Sequence, residues 1–114
     1  MYYTYMLRCE NSSIYTGITN DVYKRMNEHF SQNEKCAKYT KRNKPVKLLK
    51  VWESDDRKLA SKLEYHIKKD LNKEQKENIV VDNKYLEQYL GTKIDVNKYK
   101  QKEFNICYSS VKNK

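Results

Sequence analysis

Runs of aromatic and β-favouring residues in the first half of the chain predict three β-strands. Residues 2–8 and 13–19 are rich in aromatic and β-favouring side chains and are separated by a polar segment, residues 10–12, that favours a turn. The two runs therefore predict a β-hairpin. A third apolar run at residues 46–52 predicts a third strand.

Helical spacing of apolar residues follows the hairpin. Val22, Met26 and Phe30 recur at i, i+4 and i+8 and predict a helix that begins near Asp21. A second apolar stripe predicts a helix from Arg57 to about Leu71. The basic segment between the first helix and the third strand, residues 33–44, is predicted to be a loop or irregular turn.

The C-terminal third has weaker patterns. Residues 72–80 and 84–90 predict two short helices, and residues 104–108 predict a late strand. The order β-β-α-β-α-α predicts a small α/β fold with a three-stranded, at least partly antiparallel sheet flanked by helices. We expect one domain over residues 1–82 and a basic C-terminal extension over residues 83–114, helical at first and then weakly ordered.

The charge of the chain favours a polyanionic partner. The 114 residues include 24 Lys and Arg against 15 Asp and Glu, a net charge of +9. Seven of the bases lie between Lys35 and Lys50, a segment without an acidic residue. The excess positive charge therefore predicts a nucleic-acid partner.

Other features of the composition exclude several classes of protein. No apolar run reaches the length of a membrane span, and the first residues lack the basic and apolar parts of a signal peptide. Cys9, Cys36 and Cys107 are widely spaced and form no CxxC pair, which argues against a disulfide framework or structural zinc site. We expect a cytoplasmic protein in which these cysteines act as small apolar residues.

Two polar groups on the predicted helices are candidates for chemistry. Arg25 and His29 are i, i+4 neighbours that share a helix face, where they can hold a phosphate and move a proton or simply form a solvated flank. Glu64 falls among the apolar positions Ala60 and Ile67 of its helix. A carboxylate there needs a metal ion or a buried Arg, unless it lies at the edge of the stripe and reaches water.

The hairpin carries a third candidate group. Tyr5 and Tyr15 lie within the paired strands, and a strand glycine such as Gly17 often marks the close approach of another group. The tyrosines are core aromatics or members of a site. A three-residue turn, with Ser12 in the left-handed conformation, would pair Leu7 with Tyr15 and place Tyr5 diagonal to Tyr15 on the same face.

In combination, these features resemble the GIY-YIG nuclease family, and in particular its small stand-alone members. Residues 3–5 (Tyr-Thr-Tyr) stand where the family has Gly-Ile-Tyr, and residues 15–17 (Tyr-Thr-Gly) where it has Tyr-Ile-Gly. Arg25 and His29 match the following helix, and residues 60–68 match the helix that bears the metal-binding glutamate. The resemblance covers residues 1 to about 80 and includes a further block at residues 37–46.

The resemblance implies hydrolysis of phosphodiester bonds in DNA with one divalent cation, which we expect to be Mg²⁺. In this chain it assigns the metal to Glu64, the phosphate contact to Arg25, the general base to Tyr15 or Tyr5, and orientation or proton relay to His29. Flanking phosphates would be held by the bases of the central segment: Lys38, Lys41 and Arg42.

Two alternatives stay open. A nucleic-acid-binding module could retain the same fold without catalysis, since the net charge of +9 suffices for non-specific binding. A basic structural or ribosome-associated protein would instead use Tyr5, Tyr15 and Arg25 only for packing. A protein partner is compatible with each interpretation.

Overall fold

The predicted hairpin is confirmed in the computed structural model, which describes residues 1–106. Strand β1 (Tyr2–Cys9) pairs antiparallel with β2 (Ile14–Thr19), and Leu7 lies opposite Tyr15. The turn has three residues: Cys9 N donates to Ser13 O at 3.0 Å, and Ser12 has a φ of 69° in the left-handed region. Because side chains alternate along a strand, this register places Tyr5 and Tyr15 on one face.

The sheet has four antiparallel strands, so the prediction of three was wrong. Its order is β2-β1-β3-β4, with β3 at Pro45–Ser54 and β4 at Lys100–Lys102. Strand β4 has only polar residues and pairs through its backbone, so it carries no apolar alternation. The late strand predicted at 104–108 is absent from residues 104–106, and its last two residues lie outside the described part of the chain.

The helices begin at side-chain caps that the sequence indicates. Asp21, Asp56 and Asn72 each accept a hydrogen bond from a backbone N–H in the first turn that follows. Within residues 1–106 no helix is long and apolar enough to cross a membrane. The helices are α1 (Val22–Ser31), α2 (Lys38–Arg42), α3 (Arg57–Asp70), α4 (Lys73–Val81) and α5 (Lys84–Leu90), with a 3₁₀ turn at Val96–Lys98.

Helix α2 lies inside the segment predicted to be a loop. Its five residues are too few to show apolar periodicity, and they include the exposed bases Lys38, Lys41 and Arg42. The side chain of Thr40 donates to Ala37 O at 3.1 Å and is fully buried. The Thr40 hydroxyl also lies 2.9 Å from His29 Nδ1, so this buried position helps to attach α2 to α1.

Apolar clusters cover both faces of the sheet. On one face Val22, Met26 and Phe30 of α1 pack against the face of the hairpin that carries Tyr5. On the other face α3, α4 and α5 pack against Met6 and Trp52. The extension contributes to this second core through Leu86, Leu90, Ile94 and Tyr99. The division of the chain at residue 82 stays a prediction.

Candidate active site

Gly17 lets the ring of Tyr5 cross the hairpin. A Cβ at Gly17 would lie 2.5 Å from the Tyr5 hydroxyl oxygen and 3.0 Å from the edge of the Tyr15 ring. Real side chains do not approach so closely, so the position requires glycine for space. The rings of Tyr5 and Tyr15 have centroids 6.3 Å apart, and Tyr5 is almost completely buried while Tyr15 is half-buried.

A directed hydrogen-bond chain starts at Tyr5. The Tyr5 hydroxyl is 2.7 Å from His29 Nε2, and His29 Nδ1 is 2.9 Å from the Thr40 hydroxyl. Because the Thr40 hydroxyl donates to Ala37 O, it must accept from Nδ1–H. Nε2 then carries no proton and accepts from the Tyr5 hydroxyl.

The pKa shifts of His29 and Tyr5 agree with this direction of the hydrogen bond between them. Burial, reinforced by the positive charge of Arg25, lowers the pKa of His29 to about 3, so the imidazole is neutral at pH 7. Burial is also the main cause that raises the pKa of Tyr5, and it outweighs the hydrogen bond from Arg25. Tyr5 therefore stays protonated and donates its hydrogen to His29.

Arg25 contacts the same hydroxyl. Its Nε donates to Tyr5 at 3.4 Å, while Nη1 donates to Glu28 at 2.8 Å and to the Lys35 carbonyl at 2.7 Å. Burial acts to lower the pKa of Arg25, but the contacts with Glu28 and Tyr5 outweigh it and raise the pKa. The guanidinium is thus charged and oriented beside the phenol.

Glu64 reaches this cluster from the opposite helix, α3. Its side chain is 25% exposed, at the edge of the apolar stripe, and Lys68 Nζ lies 3.2 Å from its carboxylate. The same ammonium lies 5.3 Å from the centroid of the Tyr15 ring. The carboxylate also contributes to the raised pKa of Tyr5, so the acid and the buried phenol are electrostatic neighbours.

Helix α2 contacts Tyr15 of the site through Tyr39. Tyr39 stacks on Tyr15 with centroids 5.9 Å apart and an interplanar angle of 19°, and its hydroxyl donates to Ser13 Oγ. The three candidate phosphate contacts, which are Lys38, Lys41 and Arg42, are exposed on the same short helix.

Comparison with known proteins assigns the family. The family model described as the GIY-YIG catalytic domain matches residues 1–78. The chain belongs to the GIY-YIG family. The resemblance stated from the sequence is therefore confirmed.

The similar proteins are small UPF0213 proteins. One from Fusobacterium nucleatum is 53% identical over 79 residues, which covers 69% of this chain and 76% of the relative. One from Cupriavidus necator is 46% identical over 68 residues, covering 60% and 72% of the two chains. The solution NMR structure of a UPF0213 protein from Bacillus halodurans is 34% identical, with a TM-score of 0.46, and covers 83% of this chain and 98% of that one.

Membership in the GIY-YIG family implies nuclease-type activity in general, and GIY-YIG nucleases generally use divalent metals. Within residues 1–106 there is no cluster of three or more His, Cys, Asp or Glu that could form a closed metal site. A single carboxylate suits Mg²⁺, which retains several waters and is commonly held by one or two carboxylates. Glu64, half-buried beside an exposed Lys68, fits that donor set.

Several residues at this GIY-YIG site were missed as functional by sequence reasoning. Thr40 fixes the His29 tautomer, and Tyr39 stacks on Tyr15, although both lie in a segment predicted to be irregular. Lys73 and Lys76 of α4 line a cleft beside Tyr15. Their positive charge was visible in the sequence, but nothing in the pattern indicated which surface bases would face the hairpin.

Proposed function

We propose that this GIY-YIG protein is a metal-dependent endonuclease that hydrolyses phosphodiester bonds in DNA. One observation carries the proposal: a continuous series of contacts joins the phenol of Tyr5, the guanidinium of Arg25 and the carboxylate of Glu64 through Tyr15 and Lys68. A phenol, a fixed cation and a carboxylate can supply the general base, the phosphate contact and the metal ligand for phosphodiester hydrolysis.

Tyr15 is the proposed general base. Its ring lines the open cleft beside the Lys68 ammonium, whereas the Tyr5 proton is directed to the neutral His29. In its phenolate form, a half-buried tyrosine next to a cation can accept a proton from an attacking water. Tyr5 and His29 then act as positioning residues that orient Arg25 and Tyr15.

Arg25 is the proposed phosphate contact. Within the described residues it uses Nε and Nη1 for internal contacts, which leaves Nη2 for a non-bridging phosphate oxygen. Donors held in place before the reaction stabilise the charge that develops at phosphorus.

Glu64 is the proposed metal-holding residue. A bound divalent cation, Mg²⁺ in this proposal, would neutralise the leaving oxygen as a Lewis acid. Lys68 is 48% exposed, so its ammonium can leave the carboxylate for water or for a DNA phosphate. The acid is then free to bind a cation without rearrangement of α3.

The bases on α2 complete the proposed DNA interface. Lys38, Lys41 and Arg42 would hold phosphates that flank the scissile bond, and this contribution falls as salt rises. A reducing, cytoplasmic setting is part of the proposal, since Cys9 and Cys36 are free, buried thiols. Cys107 lies outside the described residues.

A second candidate function is a catalytically silent nucleic-acid-binding module. The ion pair between Glu64 and Lys68 favours it, because an ammonium then occupies the carboxylate that would hold the metal. The binding module does not need Glu64, and the nuclease does.

Nicking of supercoiled and branched DNA in Mg²⁺ tests the proposal. We expect cleavage by the wild type and by Glu74→Ala, whose acid is exposed on α4, and loss of cleavage in Glu64→Ala with DNA binding retained. Equal cleavage by Glu64→Ala would overturn the metal assignment. Binding without cleavage in every variant would favour the silent module.

A further inference from the structure

A second feature lies beside the proposed catalytic groups: a cleft of about 460 Å³ along the outer edge of β2. This volume is within the range of roughly 300–1,000 Å³ that is usual for small-molecule pockets. The cleft is bordered by the hairpin on one side, by Tyr39 of α2 on another, and by α3 and α4 through three lysines. Its lining residues are Ser13, Ile14, Tyr15, Thr16, Tyr39, Lys68, Lys73 and Lys76.

We propose that this cleft binds the base of an unpaired nucleotide, so that the protein's nucleic-acid substrate is single-stranded next to the site of reaction. This inference rests on the proposed function and specifies its substrate class. Three features of the cleft carry it, namely its charge, its stacked rings and the free backbone of β2.

The charge of the cleft is complementary to a nucleic-acid backbone. Lys68, Lys73 and Lys76 line it, and no acidic residue is among its lining residues. Within the described residues, Lys73 and Lys76 form no salt bridge and remain available for phosphate, while Lys68 is paired only with the proposed metal ligand Glu64.

The rings of Tyr15 and Tyr39 supply a stacking platform. They already lie nearly parallel, 19° apart, with centroids separated by 5.9 Å, and Tyr39 as a whole residue is 39% exposed. A base that extends this stack gains contact area without the need to order two mobile side chains. Aromatic platforms of this kind bind unpaired bases and do not admit bases stacked within a duplex.

The free edge of β2 supplies hydrogen-bonding groups. β2 is an outer strand, and the Cys9 N–H bond to Ser13 O fixes which residues face β1. Hydrogen-bonded and non-hydrogen-bonded pairs alternate in an antiparallel ladder, so Ile14 and Thr16 turn their backbone N–H and C=O groups outward. A donor and an acceptor on one strand edge match the polar edge of a nucleobase.

Thr16 provides an independent sign of a missing partner. Its residue is 2% exposed, and its hydroxyl oxygen is the one buried side-chain polar atom in residues 1–106 that lacks a hydrogen-bond partner. Buried hydroxyls are nearly always paired. A base bound at the adjacent strand edge supplies this partner once the side chains that cover the hydroxyl move aside.

Binding in EDTA tests the inference independently of cleavage. Fluorescence anisotropy would compare a labelled single-stranded DNA with the same sequence as a duplex, and 2-aminopurine in the single strand would report stacking. We expect tighter binding of the single strand and quenching of 2-aminopurine, with Tyr39→Leu losing the quenching. Equal affinity for both DNAs, without quenching, would overturn the inference.

Matched variants separate the cleft from general charge. Lys73→Gln/Lys76→Gln should weaken single-strand binding roughly tenfold and flatten the salt slope by about 1.4, at about 0.7 for each lost phosphate contact. Lys62→Gln/Lys98→Gln removes the same charge from exposed positions outside the cleft and should change binding far less. Equal losses of single-strand binding in the two double variants would contradict a specific cleft.

Thr16→Val adds a test of the hydrogen bond with little risk to folding, because the lost hydroxyl has no internal partner. We expect about threefold to tenfold weaker binding of the single strand, with unfolding unchanged. Unchanged binding would contradict a bond from Thr16 to the base. Selective single-strand binding without any DNA cleavage would refute the nuclease function and still support the base-binding cleft.

Discussion

The hydroxyl of Tyr5 lies where a side chain at position 17 would begin, only 2.5 Å from a Cβ built on Gly17. This relationship explains why a glycine occurs inside a strand, where it otherwise weakens the sheet. It also connects the register of the hairpin to the site, because the Tyr5 hydroxyl contacts both His29 and Arg25.

Gly17→Ala should therefore displace Tyr5 and lower the free energy of unfolding by about 1–3 kcal/mol, the usual cost of overpacking. Urea unfolding measures this change. The cost should be smaller in a Tyr5→Leu background, because the obstructing ring is then absent. The same cost in both backgrounds would show that the contact with Tyr5 is not its cause.

Tyr15→Phe should mainly lower activity, whereas Tyr5→Phe should mainly lower stability. Tyr15→Phe removes the proposed base and should slow single-turnover DNA cleavage about 10²–10⁴-fold with little change in stability. Tyr5→Phe should lower stability by about 1–2 kcal/mol, since His29 Nε2 loses its donor, and slow cleavage less than about tenfold. If Tyr5→Phe loses more activity than Tyr15→Phe, the base has been assigned to the wrong tyrosine.

Thr40→Val should leave a buried N–H of His29 without an acceptor. We expect a loss of about 1–3 kcal/mol in the free energy of unfolding, largely restored in Thr40→Ser. Thr92→Val, at an exposed position beyond α5, serves as a control of the same chemistry and should have little effect. Similar losses in Thr40→Val and Thr40→Ser would exclude the hydroxyl as the cause.

The neutral state of His29 should make the protein sensitive to acid. Its folded-state pKa is about 3, below the ordinary value of 6.5, so the unfolded chain binds a proton first as the pH falls. The contribution of the neutral His29 to the free energy of unfolding is complete above about pH 6.5. It is lost progressively toward pH 3, by up to about 1.4 kcal/mol per pH unit.

Urea unfolding between pH 7.5 and 4.5 measures this slope in the wild type and in His29→Gln. The free energy of unfolding of His29→Gln should fall less steeply with falling pH, because the variant lacks this imidazole and shares all its other titrating groups with the wild type. Parallel curves would mean that His29 is not held neutral in the folded protein.

The sequence predicted those parts of the molecule in which local pattern decides the structure. Ser12 and the tyrosine spacing predicted the hairpin register, and Val22, Met26 and Phe30 predicted the buried face of α1. Tyr5, Tyr15, Arg25, His29 and Glu64 could be selected by resemblance before the geometry was known. Their catalytic roles remain predictions.

The sequence could not predict features that depend on long-range contacts. Strand β4 consists of Lys100, Gln101 and Lys102, which pair with β3 only because the extension folds back across Trp52. Thr40 is important because it contacts His29, eleven positions away. The direction of the hydrogen-bond chain distinguishes the proposed role of Tyr5 from that of Tyr15. It likewise depends on contacts that no local pattern encodes.

The central claim is that Arg25 and Glu64 act on one phosphate in one site. Single-turnover cleavage rates of Arg25→Lys, Glu64→Gln and the double variant test it most directly. We expect each single variant to lose about 10²–10³ in rate, and the double variant to lose little more than the worse single one, as residues that act as a unit do. Full activity of Glu64→Gln, or losses that simply multiply in the double variant, would contradict the claim.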